Sequence, residues 1–398
     1  MTEINENIMR ELKRADDLCG KDILTWLASL YDAESGGFYY SISARDTDGF
    51  LPDLESTYQA VWLLQQGGMY GSGPVPTDIM PKIIADKFSE YAISLQSEKD
   101  GYFYHPQWGE NVATSRKARD LMWARGLINK FGGSPKYLYP EQRIAELKKA
   151  EENADVTKDH NNGVEERFTS EKKFREYLES LDFEANGWGA GNTLVCQQAQ
   201  IKAAGFSEMV IDYLAEKQNK ETGLWGNGLS YANTNAAMKI SGWFSANYMP
   251  YPNLDKMIES VIYIVKNEDL PIYITDVWNP IVAINQAKAS HTDFSPQLRS
   301  KLDESLAEVI RISVDNATLF KKSDGAFGYN RLTGQRSSQG AIVSTGVNES
   351  DVNATLAACV SMRASLYSLA GIKPPPIYDK YAGYFMQILL DKINALNK

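Results

Sequence analysis

The sequence predicts an all-α fold in which six helix hairpins close into a ring around one central pocket. A short turn that places a glycine just before an aromatic residue recurs along the chain. Each turn follows a stretch with apolar residues at the i, i+3 and i+4 spacing of a helix, and each leads through a polar loop into a second helix. The turns occupy residues 35–39, 100–103, 186–189, 222–226 and 324–328.

The first helix of each hairpin precedes the turn and is predicted to lie on the outside of the ring. Apolar or aromatic residues at helical spacing mark four of these helices. A fifth helix begins a hairpin that lacks the glycine turn. They are predicted over residues 23–35, 88–100, 174–186, 210–222 and 253–270.

The second helix of each hairpin is predicted to line the pocket. Four of these helices end at glycine, a common C-terminal stop, and several begin at Asn, Thr or Asp, which are good N-caps. In the fifth hairpin, Asn279 and Pro280 predict the start of the helix, with proline in its first turn. The inner helices are predicted over residues 54–68, 114–133, 192–205, 233–246, within 275–290, and 351–371.

Six hairpins are the number at which such a ring closes, so the sequence predicts a single (α/α)6 toroid domain over residues 1–398. Residues 139–171 are heavily charged and poor in large apolar side chains, which predicts an exposed helix and loop inserted between the second and third hairpins. The loops after the turns of the first and sixth hairpins (residues 35–39 and 324–328) are long. Because the first and last hairpins are neighbours in a closed ring, these loops are expected to meet over the pocket mouth.

Composition excludes several classes of function. The net charge of −10 disfavours a protein that follows nucleic-acid phosphates. The N-terminus lacks the pattern of a secretory signal, and no stretch approaches the roughly 18 apolar residues that span a bilayer, so we expect a cytoplasmic protein. Three distant cysteines and three histidines without i, i+4 spacing predict neither a disulfide framework nor a metal site, and no cofactor is expected.

The recurring turns, together with residues 51–61 (LPDLESTYQAV), resemble the ring fold of protein prenyltransferase β-subunits, squalene–hopene-type cyclases and related (α/α) toroids. The resemblance implies the architecture over most of the chain. The cyclases protonate their substrate through an Asp-rich DxDD motif, whereas residues 53–56 here read Asp-Leu-Glu-Ser. The Asp-x-Cys pattern of the prenyltransferase zinc site and the Gly-Cys-Gly-Glu-Gln signature of complement thioester domains are also absent. Glycan lyases, hydrolases and sugar epimerases use the same ring.

In such rings the N-termini of the inner helices point towards the pocket and make its mouth mildly electropositive. The polar and aromatic residues near these N-termini are therefore the candidate site residues. The catalytic candidates are Asp53, Glu55, Tyr58, His105, Asp276 and Asp351. The substrate-binding candidates are Trp108, Arg116, Lys117, Arg119, Trp188, Asn192, Trp225, Asn233, Trp278 and Asn279.

Carboxylates, amides and flat aromatic faces together suit a sugar. In a lyase, His105 or Tyr58 would abstract the proton next to a uronate carboxylate that Arg116 and Arg119 neutralise. In a hydrolase, two of the acids would divide acid and base work. Structural explanations remain open: helix capping for the Asp and Asn residues, packing between hairpins for the turn aromatics, and solvated surface for the basic cluster.

The leading hypothesis is a carbohydrate-active enzyme, a lyase or hydrolase that acts on an oligosaccharide or other small-molecule substrate. The first alternative is an isoprenoid-processing toroid, in which the basic cluster would bind a diphosphate. The second is a non-catalytic binding scaffold. A pocket lined by apolar residues would favour the first alternative, and a shallow pocket the second.

Overall fold

The computed structural model describes residues 6–152, 163–289 and 294–396. Helix accounts for 59% of the structure and strand for 3%, which confirms the predicted all-α character. Within these residues the α-helices are, in chain order, α1 (Glu6–Asp17), α2 (Lys21–Ser29), α3 (Ile42–Arg45), α4 (Leu54–Gln66), α5 (Lys82–Ser94), α6 (Thr114–Lys130), α7 (Pro140–Glu152), α8 (Glu171–Glu179), α9 (Gly187–Cys196), α10 (Gln198–Ala203), α11 (Ser207–Lys217), α12 (Tyr231–Ala246), α13 (Leu254–Asn267), α14 (Ile274–Lys288), α15 (Pro296–Thr318), α16 (Val352–Thr355), α17 (Met362–Leu369) and α18 (Ala382–Ala395).

Smaller elements complete the chain. A π-helical segment (Leu356–Ser361) joins α16 to α17, and two 3-10 turns cover Glu166–Phe168 and Asp379–Tyr381. The two short strands β1 (Ser337–Ser338) and β2 (Ala341–Ile342) pair antiparallel as a hairpin.

The helices predicted to line the pocket contact one another in a closed circuit. Helix α4 packs on α6, α6 on α9, α9 on α12, and α12 on α14. The circuit continues from α14 to α17 and the π-helical segment, which in turn packs against α4. Outside this circuit, α5 packs on α6, and α13 and α15 pack on α14. None of the described helices is long and apolar enough to cross a membrane.

Two of the predicted N-caps are confirmed. The Asp53 side chain accepts a hydrogen bond from the Ser56 backbone N–H at 3.0 Å and caps α4. The Asp351 side chain accepts from the Ala354 N–H at 2.7 Å and caps α16. Both carboxylates therefore satisfy N–H groups that the first helical turn would otherwise leave unpaired.

Two other predicted caps are wrong. Helix α9 begins at Gly187 and is capped by Asn186, so Asn192 lies within the helix. Ser230 caps α12, which places Asn233 in its first turn. In each case a residue closer to the preceding turn, Asn186 or Ser230, provides the side-chain oxygen that caps the helix.

The predicted start of the fifth inner helix at Asn279 and Pro280 is also wrong. Helix α14 begins earlier, at Ile274, where Tyr273 and Asp276 form a capping box. Pro280 consequently lies inside the helix and cannot donate the usual backbone hydrogen bond. The capping contacts of Asp276 therefore override the local signal of an Asn-Pro pair.

Most aromatic residues of the turns pack between hairpins. Phe38, Trp225 and Phe327 are fully buried, and the Trp225 indole N–H donates to the Leu214 carbonyl at 3.0 Å. Trp225 therefore packs in the core and does not line a pocket, in contrast to its predicted substrate-binding role.

The charged segment between the second and third hairpins is less exposed than predicted. Helix α7 packs against α10, and Ile144, Leu147 and Phe168 are buried. Residues 153–162 of the predicted insertion lie outside the described residues.

Candidate functional site

The loops that follow the turns of the first, second and sixth hairpins meet, as the sequence predicts for the first and sixth hairpins. Glu349 accepts hydrogen bonds from the backbone N–H and the hydroxyl of Ser43. The Thr345 hydroxyl donates to the Ser43 hydroxyl at 2.7 Å. From the second loop, the Gln107 amide donates to the Ile342 carbonyl at 2.9 Å. These bonds hold the β1–β2 hairpin in place.

The tip of this hairpin contacts helices α4 and α9. Gln339 and Gly340 have φ of 50° and 83°, the left-handed values that a tight two-residue hairpin turn requires. Next to the tip, the Ser338 hydroxyl donates to Glu55 on α4 at 2.9 Å. Gln339 accepts a hydrogen bond from the Asn192 amide of α9 at 2.8 Å. Asn192 is thus tied to the hairpin and is not free for a ligand.

Arg116, predicted to bind an anionic substrate, is the centre of a buried cluster of charges. Its guanidinium donates to Asp120 at 3.0 and 3.1 Å, to Glu55 at 2.8 Å and to Asp53 at 3.2 Å. Its side chain is 0% exposed, and the Trp108 ring covers the guanidinium at 4.9 Å. Three carboxylates of the chain therefore surround the guanidinium, and these contacts disfavour the predicted anion-binding role.

Two carboxylates of this cluster, Asp120 and Glu55, have raised pKa values. Burial raises the pKa of Asp120 to about 7, and the charge of Arg116 acts in the opposite direction. Burial also raises the pKa of Glu55 against the same opposing charge. Glu55 is further held by Ser338 and by the Gln59 amide, so neither of its oxygens faces an open pocket.

The other two basic candidates also have partners within the chain. The Lys117 ammonium lies 3.3 Å from both Asp100 and Glu165 and 4.0 Å from the centre of the Tyr102 ring. Arg119 donates to the Asn192 amide oxygen. Lys117 is therefore paired within the chain, whereas the Arg119 Nε is buried and has no hydrogen-bond partner among the described residues. The anion-binding role of Arg119 stays a prediction.

His105 is held by the backbone on both sides of its ring. Nε2 lies 2.7 Å from the Pro52 carbonyl, and Nδ1 accepts the Gln107 N–H at 3.2 Å. The ring stacks on Trp108 with centroids 4.0 Å apart. Burial lowers the pKa of His105, which favours the neutral ring with its proton on Nε2. These contacts give His105 a structural role and leave no nitrogen for proton transfer.

Three further candidates also serve packing and loop closure. Tyr58 stacks on Trp62 with centroids 5.8 Å apart and packs against Gly126, where a Cβ would lie 2.5 Å from the ring. The Asn233 amide donates to the carbonyls of residues 227 and 228. Trp278 is partly buried against the core.

A pocket of about 570 Å³ opens at the first turns of α9, α12 and α14. It brings together two residues that the sequence predicted, Trp188 and Asp276. Its lining combines aromatic rings, aliphatic side chains, hydroxyls, amides and carboxylates. The lining residues are Asn186, Trp188, Ser230, Tyr231, Ala232, Asn235, Glu268, Asp269, Leu270, Ile272, Tyr273, Thr275, Asp276 and Tyr329.

Asp276 is oriented by a network of hydrogen bonds. One oxygen accepts the Asn235 amide at 2.9 Å, and the other accepts the backbone N–H groups of Ile272 and Tyr273 at 3.2 and 2.9 Å. The Asn279 amide donates to Asn235 at 2.9 Å and so supports the network from the next turn of α14. Burial raises the pKa of Asp276, although these donors oppose the shift.

Sequence reasoning missed the other walls of this pocket. Glu268 and Tyr273 belong to the segment before α14, and Tyr329 directly follows the turn of the sixth hairpin at residues 324–328. A backbone bridge between Tyr273 and Asn330 brings the two segments together. The signal available in the sequence was the unusual mixture of acids and apolar residues over 268–273.

Lys239 was also missed, although it lies on α12, one of the helices predicted to line the pocket. It keeps partial exposure, yet burial and the nearby charge of Arg119 lower the pKa of its ammonium to about 7. No described residue forms an ion pair with it. The sequence feature that could have identified it is a single lysine within residues 236–241, which are otherwise small or apolar.

We expect the variant Lys239→Met to be more stable than the wild type at pH 7 by up to about 4 kcal/mol, since the pKa falls from 10.5 to about 7 on folding and one pKa unit corresponds to about 1.4 kcal/mol. Between pH 7 and 10.5 the unfolded chain binds a proton that folded Lys239 has released, so this lysine makes stability rise with pH. Denaturant unfolding across this range should show a flatter pH dependence for the variant. The exposed Lys220→Met serves as the control. A variant that is less stable at pH 7 and keeps the wild-type slope would contradict the prediction.

Within the described ranges, no three His, Cys, Asp or Glu side chains gather as metal ligands would. No protein-family model matches the chain, and no curated protein sequence matches it.

Proposed function

We propose that this protein is an (α/α)6 toroid that binds a carbohydrate in the pocket at the first turns of α9, α12 and α14. The observation that carries the proposal is the lining of that pocket, where four aromatic side chains lie beside the hydrogen-bonded Asp276. Flat rings suit the apolar faces of pyranoses, and a few placed polar groups suit their hydroxyls. The four aromatic residues are Trp188, Tyr231, Tyr273 and Tyr329.

The contact circuit of the inner helices supports the toroidal arrangement. Six helical bodies contact in sequence order, and the last returns to α4. In this arrangement the pocket belongs to one sector of the mouth, next to the sector that the β1–β2 hairpin covers.

The charges of the lining bear on the ligand class. Glu268, Asp269 and Asp276 line the pocket, whereas none of the described Lys or Arg residues belongs to its lining. A uronate or a diphosphate would meet like charges there, and Arg116 is already paired with carboxylates. The mostly apolar surface of the pocket is what the isoprenoid hypothesis expects. The lyase hypothesis and the isoprenoid hypothesis both also require a cationic site, so the charges of the lining favour a sugar without a negative charge.

Glycoside hydrolysis in the same pocket is the second candidate. Asp276 lines the pocket and has a raised pKa, which is the property of a general acid. Glu268 or Asp269 on the rim would then act as the base. Product analysis of every sugar that binds distinguishes hydrolysis from binding alone.

A thermal-shift screen tests the binding proposal. We expect neutral oligosaccharides to stabilise the wild type, by about 2.7 kcal/mol at 100 times the dissociation constant, and uronates and polyprenyl diphosphates to have no effect. The variants Trp188→Ala and Tyr231→Ala should lose the response and keep nearly the same melting temperature without ligand, because both side chains are only partly buried.

The matched control is Tyr263→Ala, which removes an exposed tyrosine from α13 outside this pocket and should keep the response. A sugar response that survives both pocket variants would contradict the assignment of the site. A response to polyprenyl diphosphates alone would replace the carbohydrate proposal with the isoprenoid one.

A further inference from the structure

The pocket at the first turns of α9, α12 and α14 carries a concentration of negative charge that no cation of the lining offsets. Glu268 and Asp269 lie exposed on its rim, and neither forms an ion pair within the part of the chain that the structure describes. Asp276 lies deeper, 7% exposed. Arg331 in the neighbouring segment donates to the Pro271 carbonyl at 3.1 Å and is not part of the lining. Arg119 is not part of the lining either, although its charge acts on the pocket residue Tyr329.

The aromatic walls add to this preference for positive charge. The face of an aromatic ring carries negative electrostatic potential and attracts an ammonium group within about 6 Å of its centre. Tyr273 and Tyr329 lie with their ring centres 5.8 Å apart on one side of the pocket, and Trp188 and Tyr231 also line it. The rings and the carboxylates therefore favour the same sign of ligand charge.

The carboxylates of the pocket also act on one of its tyrosines. Burial, followed by the charges of Asp276 and Glu268, raises the pKa of Tyr231 to about 12. Both carboxylates thus act on the interior of the pocket as well as on its rim.

We propose, on the basis of the proposed carbohydrate site, that the preferred ligand is an amino sugar with a free, protonated amine. Its pyranose ring stacks on the aromatic walls, and its ammonium donates hydrogen bonds to the carboxylates. An N-acetylated sugar of the same shape lacks the charge, and a uronate carries the opposite charge. The pocket therefore discriminates between sugars by the charge at one substituent.

Calorimetric titration with three β-1,4-linked trisaccharides tests the proposal. The probes are the trimers of glucosamine, N-acetylglucosamine and glucose, used at mildly acidic pH where the amine is protonated. We expect the glucosamine trimer to bind roughly tenfold more tightly than the other two, a ratio that corresponds to about 1.4 kcal/mol. The advantage should shrink at high salt, because the rim charges are exposed.

Variants of the rim separate charge from shape. The double variant Glu268→Gln and Asp269→Asn should lose most of the preference for the amine and keep its affinity for the glucose trimer. The control Glu221→Gln neutralises an exposed acid that does not line the pocket and should keep the preference.

Different results would contradict the amino-sugar inference alone and the carbohydrate proposal as well. Equal affinity for the three trimers, or a preference that survives the double variant, would overturn the amino-sugar inference and leave the carbohydrate proposal standing. Binding of benzyltrimethylammonium without binding of any trimer would overturn both, because the pocket would then recognise a cation without a sugar. No binding of any probe would also overturn both.

Discussion

The variant Arg116→Met is expected to lose about 3–5 kcal/mol of unfolding free energy, the cost of removing one partner from a buried ion pair. Asp53, Glu55 and Asp120 are all at most 2% exposed and would remain without their common cation. Without Arg116 the pKa of Asp120 should rise further above its wild-type value of about 7, so the folded variant takes up a proton at a higher pH than the wild type and the deficit should shrink as the pH falls towards 7. Denaturant unfolding at several pH values measures both effects.

The matched control for this variant is Arg125→Met on the same helix. Arg125 pairs with Glu141 at 2.6 Å, but its side chain is 33% exposed. Its loss should cost no more than about 1 kcal/mol. An Arg116 variant that is as stable as this control and no longer binds an anionic ligand would restore the binding role that the sequence predicted.

The second large effect is expected for Trp225→Ala, at about 3–5 kcal/mol of unfolding free energy. Trp225 is fully buried, and its ring lies 5.8 Å from Tyr251 and 6.4 Å from Phe244, measured between ring centres. Truncation leaves a cavity between the hairpins and removes the hydrogen bond to the Leu214 carbonyl.

Trp188→Ala is the appropriate comparison, because Trp188 belongs to the preceding turn but is only partly buried. Its truncation should leave unfolding nearly unchanged and remove sugar binding. If Trp225→Ala unfolds like the wild type and instead loses ligand binding, the assignment of the two tryptophans is reversed.

The sequence predicted those features of the fold that depend on local pattern. Helices α4 and α6 follow from apolar spacing, and Asp53 and Asp351 cap helices because a carboxylate precedes an apolar run. The start of α14 was misplaced because an Asn-Pro pair is a local signal, whereas the Tyr273–Asp276 capping box depends on where the preceding segment lies.

The candidate site was harder to predict because it depends on contacts between distant segments. Arg116 and Asp120 are four residues apart, and their pairing could be expected from the sequence. The contacts of Arg116 with Asp53 and Glu55 arise only when α4 packs on α6. From the sequence, Arg116 at the start of a helix was therefore expected to be free to bind a ligand, although its carboxylate partners lie about sixty residues away along the chain.

The walls of the pocket illustrate the same limit. Trp188 and Asp276 were predicted because they lie near the starts of inner helices. Tyr329 lies beside them only because a backbone bridge joins Tyr273 to Asn330. No periodic pattern in the sequence indicates that bridge.

The most direct test of this account is a crystal structure of the protein soaked with the oligosaccharide that gives the largest thermal shift. The account predicts a pyranose ring stacked on Trp188 or Tyr231, with polar atoms near Asp276 and the rim acids. Sugar density beneath the β1–β2 hairpin, against Arg119 and Lys239, would contradict it and place the site at the centre of the ring.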